Sequence, residues 1–268
     1  MPLPAPAEHS AALVTGASSG IGRAIAVQLA EAGHQLILVA RGRERLEAVA
    51  RELAEEHGVR AAAVPADLAD AAERDRMAAD VERLGTEIDI LVNAAGWGVY
   101  EPFVETARER SIEQVRLLVE AVVDLDGRYV PAMVERGRGA VINLSSTAGL
   151  QPLPYNADYA AAKAFVEYHS AGLHAELKGT GVTVTAVLPG PVPSGFQEAS
   201  DAGYFAEKLP KVVFVTPERV ARDSLRAAAR GKRALIPGSP LVRLAFGPNR
   251  FAPRAMQLMV ARRLMARG

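Results

Sequence analysis

The sequence predicts an α/β domain built on a doubly wound parallel sheet, and three observations carry that prediction. Short apolar runs recur along the chain and break at glycine, proline or a small polar residue, as parallel strands buried on both faces do. Segments with helical spacing lie between several of them, joined by short connections. No repeat, linker or second composition regime divides the 268 residues, so one domain is expected over residues 11–268.

Composition narrows the function classes. Lys+Arg and Asp+Glu both number 31, so no overall field recruits nucleic acid. The chain has no cysteine, which excludes a disulfide framework, a thiolate metal site and a cysteine nucleophile. Residues 1–10 carry three prolines and neither a basic stretch nor an apolar run; they are expected to be a flexible lead-in, not a secretory signal. No run approaches the ~18 apolar residues needed to cross a bilayer. The expected setting is cytoplasmic.

Taken in order, Ala11 to Thr15 reads as a first strand. It runs into Gly16-Ala-Ser18-Ser19-Gly20-Ile21-Gly22 and then a helical pattern from Arg23 that stops at Gly33. A strand, a glycine-rich turn and a helix N-terminus form an anion site, where N–H groups and the helix dipole face a pyrophosphate and glycine lets the backbone approach. The spacing is G-x-x-x-G-x-G rather than G-x-G-x-x-G. A glycine-rich turn that binds nothing is the bland alternative.

His34 to Ala40 reads as the second strand. An NAD-preferring site usually has an acidic residue at this strand's end for the ribose 2′-hydroxyl; here Ala40 is followed by Arg41, with Arg43 close by. A guanidinium suits a 2′-phosphate, so NADP(H) is favoured over NAD(H). Arginines solvated at a loop are the other reading. A charged amphipathic helix follows from about Glu44 to His57. Ala61 to Pro65 is the third strand, leading to Asp67-Leu68, where the aspartate either caps the next helix or accepts from an adenine amino group. Ile88 to Val92 is the fourth strand and ends in Asn93-Ala94-Ala-Gly96, small residues against which a cofactor can lie.

A long helix is expected from Ile112 to about Val130, and a fifth strand from Ala140 to Leu144 with Ser145-Ser146 at its carboxyl end. An alanine-rich helix from about Asp158 to Leu177 follows, then a sixth strand from Val182 to Leu188 that ends in Pro189-Gly190-Pro191-Val192-Pro193-Ser194. Within the alanine-rich helix, Tyr159 and Lys163 stand at i and i+4 on one face. A free phenol, with a pKa near ~10, is a poor proton donor or acceptor at neutral pH, and a neighbouring ammonium draws it towards working range.

With these residues in hand, the sequence resembles the short-chain dehydrogenase/reductase family over about residues 11–240. The motifs occur in family order: the Thr15–Gly22 loop, Asp67-Leu68, Asn93-Ala-Ala-Gly96, Ser146 with Tyr159-x-x-x-Lys163, and Pro189-Gly190. The resemblance implies a Rossmann-type fold and an NAD(P)-dependent oxidoreductase acting on a small-molecule carbonyl or alcohol. Tyr159 would exchange a proton with the substrate oxygen, Ser146 would position that oxygen, and Lys163 would hold the nicotinamide ribose and depress the tyrosine pKa. Gly16, Ser18, Ile21, Asp67, Asn93 and Val192 would line the cofactor site, and Ser19, Gly20, Gly22, Leu68, Ala94, Gly96, Pro189 and Gly190 fall in the same motifs. Ser194 would stand near the carboxamide. A homodimer or homotetramer is the family's usual assembly, through helices corresponding to about 112–130 and 158–177.

One position departs. Where the family usually carries a catalytic asparagine, this chain has Leu118, whose side chain can neither donate nor accept a hydrogen bond. The expectation is weakened turnover, or a water held by a backbone carbonyl at a helix irregularity. A second reading of function follows: a dinucleotide-binding sensor or scaffold with weak turnover.

Residues 194–216 correspond to the family's substrate cover, and Phe196, Tyr204, Phe205 and Phe214 there hint at an apolar substrate. Trp97 could contact substrate or cofactor, or pack under a loop. His169 and His174 have no metal-spaced partners and read as packing or surface residues. From Ser224 to Gly268 there are ten Lys or Arg and no acidic residue. Residues 241–268 form a basic amphipathic extension that docks on the domain or a partner subunit, or lies on an anionic membrane surface.

Overall fold

The computed structural model describes residues 3–193 and 213–265. Seven parallel strands form one sheet in the order β3-β2-β1-β4-β5-β6-β7, so the winding direction reverses between β1 and β4. The strands are β1 (Ser10–Thr15), β2 (Gln35–Ala40), β3 (Ala61–Pro65), β4 (Glu87–Asn93), β5 (Gly139–Leu144), β6 (Val182–Val187) and the short β7 (Ala234–Leu235). All six read from the sequence are present to within a residue at each end. Side chains alternate between two apolar layers: Ala12 and Val14 of β1 point into one, and Leu13 into the other. Burial on both faces is why these strands read as continuous apolar runs.

One layer is closed by α1 (Gly20–Glu31) and α2 (Arg43–His57), which bring Ile25, Leu29, Leu46 and Leu53 into it. The other layer takes Met77 and Val81 from α3 (Ala71–Arg83). This is the helix expected after Asp67-Leu68, whose bounds the charged residues obscure in the sequence; Asp70 caps it, accepting from the backbone of Ala72 at 2.8 Å and Glu73 at 3.2 Å.

The helix expected over residues 112–130 is three pieces. α4 (Arg108–Val115) leads into a π-helical turn (Arg116–Glu120) and then α5 (Ala121–Glu135), which carries Pro131 internally. α6 (Ala157–Glu176) follows a turn in which Tyr155 adopts a left-handed conformation, φ 64°. Beyond residues 194–212 come α7 (Pro217–Ala229), α8 (Pro240–Phe246) and α9 (Arg254–Met265). Thr216 caps α7 by accepting from Arg219 N.

In the lead-in, Leu3 packs against the core, the His9 carbonyl accepts from Glu87 N at 2.9 Å, and β1 begins at Ser10.

Gly181, in the turn before β6, has φ +88°, and a Cβ there would lie 1.9 Å from the Gly137 carbonyl oxygen. Gly181→Ala should therefore lower stability by at least about 2 kcal/mol, from left-handed strain plus the displaced backbone. A urea midpoint equal to wild type would show that the turn relaxes freely.

Candidate active site

The site grows from the end of β1. The Thr15 hydroxyl donates to Val92 O at 3.2 Å and accepts from the backbone N–H of Ala94 at 2.9 Å and Ala95 at 3.1 Å, locking the first and fourth strand ends together. The loop beyond is held by close backbone approach. A Cβ on Gly16, φ +65°, would sit 2.9 Å from Ala94 O, and one on Gly22 would sit 2.4 Å from Gly16 O. Only glycine fits either position. α1 starts with no acidic residue in its first turn and no side-chain cap from Ser19, so its N–H groups remain donors.

These groups open on a cavity of about 510 Å³ across the carboxyl ends of the strands. That volume lies within the range of small-molecule sites. Ser18, Ser19, Gly20, Ile21 and Gly22 line it at the glycine loop, with Gly16 beneath. Ala40, Arg41, Asp67 and Leu68 line one end. Ala94, Gly96, Pro189, Gly190 and Val192 line the other, beside Ser146, Tyr159 and Lys163. Ser194 lies outside the described residues, as do Phe196, Tyr204 and Phe205.

Asn93 is not in this lining. It is buried, and its amide donates to Asp126 at 2.9 Å and Asn143 at 2.8 Å. Asn143 donates in turn to Asp126 at 2.9 Å, and the His169 ring stands 3.1 Å from the same carboxylate. His169 thus has an acidic partner, 43 residues away in sequence, in a buried polar knot under β4 and β5. Among the described residues no cluster of His, Asp and Glu could hold a metal ion.

At the Asp67 end, the cap role falls to Asp70; Asp67 accepts from Ala69 N at 3.0 Å and faces the cavity. Buried Arg74 supports the wall by donating to Leu68 O at 2.8 Å while pairing with Asp124 at 2.6 Å and with Glu120 of the π-helical turn. Arg41 is 62% exposed and stands 3.6 Å from Glu113, a loose pair that leaves the guanidinium available. Arg45 also lines the cavity, two residues along α2 from the Arg43 the sequence singled out; Arg43 pairs with Glu47 at 3.4 Å instead.

The Ser–Tyr–Lys set is assembled by two elements, the end of β5 and α6. Lys163 Nζ donates to Leu144 O at 2.6 Å, and Ser145 Oγ donates to Lys163 O at 2.6 Å, a reciprocal clasp. Ser146 Oγ accepts from Ala148 N at 3.1 Å and hydrogen-bonds Tyr159. Lys163 Nζ lies 5.7 Å from the centroid of the Tyr159 ring. Burial pushes the Tyr159 phenol well above its usual range and Tyr100 adds to it; the Ser146 hydrogen bond opposes both. Burial alone brings Lys163 down to about 8. The depressed tyrosine expected from the sequence is therefore not what this arrangement gives, because desolvation acts on both groups against their charged forms.

Tyr100, Gln151, Leu153 and Phe246 are among the lining residues that carried no sequence signal. The Tyr100 ring lies 6.5 Å from that of Tyr159, and burial raises its phenol to about 12 against an opposing hydrogen bond with Asn156. Trp97 is buried in the cavity wall, with the Arg110 guanidinium 5.5 Å from its ring centroid. Leu118 is buried in the π-helical turn and packs on Tyr159 and Ala162, its Cδ2 pressed towards Gly96.

Reversed winding, a glycine loop at a helix start and this three-residue set define a class, and residues 10–204 match the family pattern described as short chain dehydrogenase. The chain belongs to the short-chain dehydrogenase family. It is 38% identical over 183 residues to a very-long-chain 3-oxoacyl-CoA reductase of Anas platyrhynchos, a match covering 66% of this chain and 58% of that protein. A short-chain dehydrogenase from Sphingobium yanoikuyae, solved in complex with NADPH, superposes with a TM-score of 0.77 at 34% identity, covering 85% of this chain and 87% of that one. L-sorbose reductase from Gluconobacter frateurii, complexed with NADPH and L-sorbose, gives 0.77 at 30% identity over 89% and 98%.

The lysine shift makes a pH prediction. The unfolded side chain keeps its proton up to its ordinary value of 10.5, whereas the folded one releases it at about 8. Between those values the unfolded state binds more protons, so stability should rise with pH across that window, by roughly 3 kcal/mol. Lys163→Met should abolish the rise, read from urea midpoints at a series of pH values; a rise that persists in the variant would assign it to another group.

Proposed function

We propose that this chain is an NADP(H)-dependent oxidoreductase that interconverts a ketone or aldehyde and the corresponding alcohol. The observation that carries the proposal is the convergence of Ser146, Tyr159 and Lys163 on the cavity that also holds the glycine loop. A nicotinamide bound there supplies the hydride chemistry. The chain's own residues do the rest. The first-turn N–H groups of α1 would hold the pyrophosphate, Leu68 and Asp67 would flank the adenine, and Lys163 Nζ would hold the ribose. Tyr159 Oη gives or takes the proton at the substrate oxygen, and Ser146 Oγ holds that oxygen in place as charge develops on it.

NADP is favoured over NAD because Arg41 and Arg45 stand at the cavity end where a 2′-phosphate would lie. The NADPH complexes of two related structures are in keeping with this. An apolar substrate is favoured by Trp97, Tyr100, Leu153 and Phe246 in the lining, and the acyl chain of the duck relative's substrate is of that kind. Leu118 does not oppose the reading. It adds dry surface beside Tyr159, and the π-helical turn diverts main-chain carbonyls from the ordinary ladder, where one can hold a water in place of an asparagine.

NADPH oxidation over a panel of aliphatic, aromatic and steroid ketones tests the reading. Tyr159→Phe should retain NADPH binding and lose turnover by about a thousandfold. Turnover that survives in the phenylalanine variant would remove Tyr159 from the chemistry. For the cofactor, Arg41→Asp should move the NADPH/NADH ratio of kcat/KM towards NADH by at least about tenfold, since a charge-assisted contact is replaced by repulsion. An unchanged ratio would rule out Arg41 as the discriminating group.

A further inference from the structure

We propose that α8 and α9 form a docking surface for an anionic lipid bilayer. Half of the exposed large hydrophobic side chains among the described residues fall within residues 241–260. In α8, Leu241 and Leu244 are 60% and 70% exposed while Val242 anchors the helix in the core. Phe251, between the helices, is 85% exposed. Among the described side chains of α9, only Gln257 and Ala261 are buried, the latter against Leu153 and Ala160. Met256, Met259 and Val260 therefore face outward at i, i+3 and i+4, a stripe one helix wide.

The charges decide what covers this stripe. Arg243, Arg254, Arg262 and Arg263 are all exposed beside it, and the chain has no acidic residue from Ser224 to its end. A second copy meeting the same patch about a two-fold axis would set arginines against arginines with no carboxylate on the segment to answer them. An anionic interface satisfies both halves of the surface, taking the apolar stripe at the acyl boundary and the guanidinium groups among the phosphates. No helix among the described residues is long and apolar enough to cross a membrane, so the contact lies along the surface. α9 is seated on Leu153, and α8 ends in Phe246; both residues also line the cavity, so the docking surface adjoins the wall of the site.

Co-sedimentation of the full chain with equimolar phosphatidylglycerol/phosphatidylcholine vesicles tests the proposal and needs no turnover. Wild type should partition at least tenfold more strongly onto these than onto pure phosphatidylcholine, and added salt should weaken binding. The triple variant Arg254→Gln, Arg262→Gln, Arg263→Gln should lose roughly a hundredfold, about fivefold for each arginine removed. Met256→Gln with Met259→Gln should also weaken binding; all altered positions are exposed, and an unchanged melting temperature checks that each variant folds. Equal partitioning onto neutral vesicles, or none onto anionic ones, would overturn the proposal. So would a shift in sedimentation velocity showing that either variant dissociates an oligomer while vesicle binding is unchanged, since the occupant would then be a second copy.

Discussion

The burial of one ammonium group organises this molecule's site. Lys163 is taken out of water at the carboxyl end of β5, where its Nζ finds the Leu144 carbonyl. A buried charge needs such partners, and the return hydrogen bond from Ser145 to the Lys163 carbonyl makes the contact mutual. α6 is thereby fixed against β5 in both rotation and height. Tyr159, one turn earlier, can only face the cavity, and Ser146, next after the clasping serine, can only stand beside it. The three functional groups owe their geometry to a contact that two of them do not make.

Two other buried polar groups extend this stiffness beneath the cavity. Asp126 gathers Asn93, Asn143 and His169, joining the ends of β4 and β5 to α6. Arg74 gathers the Leu68 carbonyl, Glu120 and Asp124, joining the Asp67-Leu68 wall of the cavity to the π-helical turn that carries Leu118. Removing one partner of such a knot leaves the others unsatisfied in a poor solvent, so each is costly to break even if its net contribution is small. The two ends of the cavity are thus held by separate anchors on one side of the sheet.

The strands were legible because burial on both faces leaves an unbroken apolar run, and the glycine loop because only glycine tolerates those backbone approaches. What escaped had identifiable causes. The bounds of α3 are not legible because its apolar residues are diluted by charge. The π-helical turn inserts a single extra residue, which barely disturbs a 3.6-residue period. Asn93 was assigned to the cofactor from its motif, but its side chain turns under the sheet to partners 33 and 50 residues away, a pairing no local pattern carries. Arg45 rather than Arg43 reaches the cavity because a helix presents its side chains by rotation, and the starting phase of α2 was unknown. Phe246 comes from the far end of the chain, joined to Gly190 only by the fold.

The tyrosine is where local chemistry and sequence logic part most clearly. An i, i+4 lysine suggests a phenolate, yet the same fold that brings the pair together also dries it, with Leu118 packed on the tyrosine ring where the family usually has a polar side chain. Desolvation disfavours both charged forms, raising the phenol and lowering the ammonium. A protonated phenol is the form that gives a proton to a carbonyl oxygen as the carbonyl carbon accepts a hydride; the reverse reaction needs the phenolate. In the proposed chemistry, Tyr159 therefore rests as the protonated acid, in the dry surroundings to which Leu118 belongs.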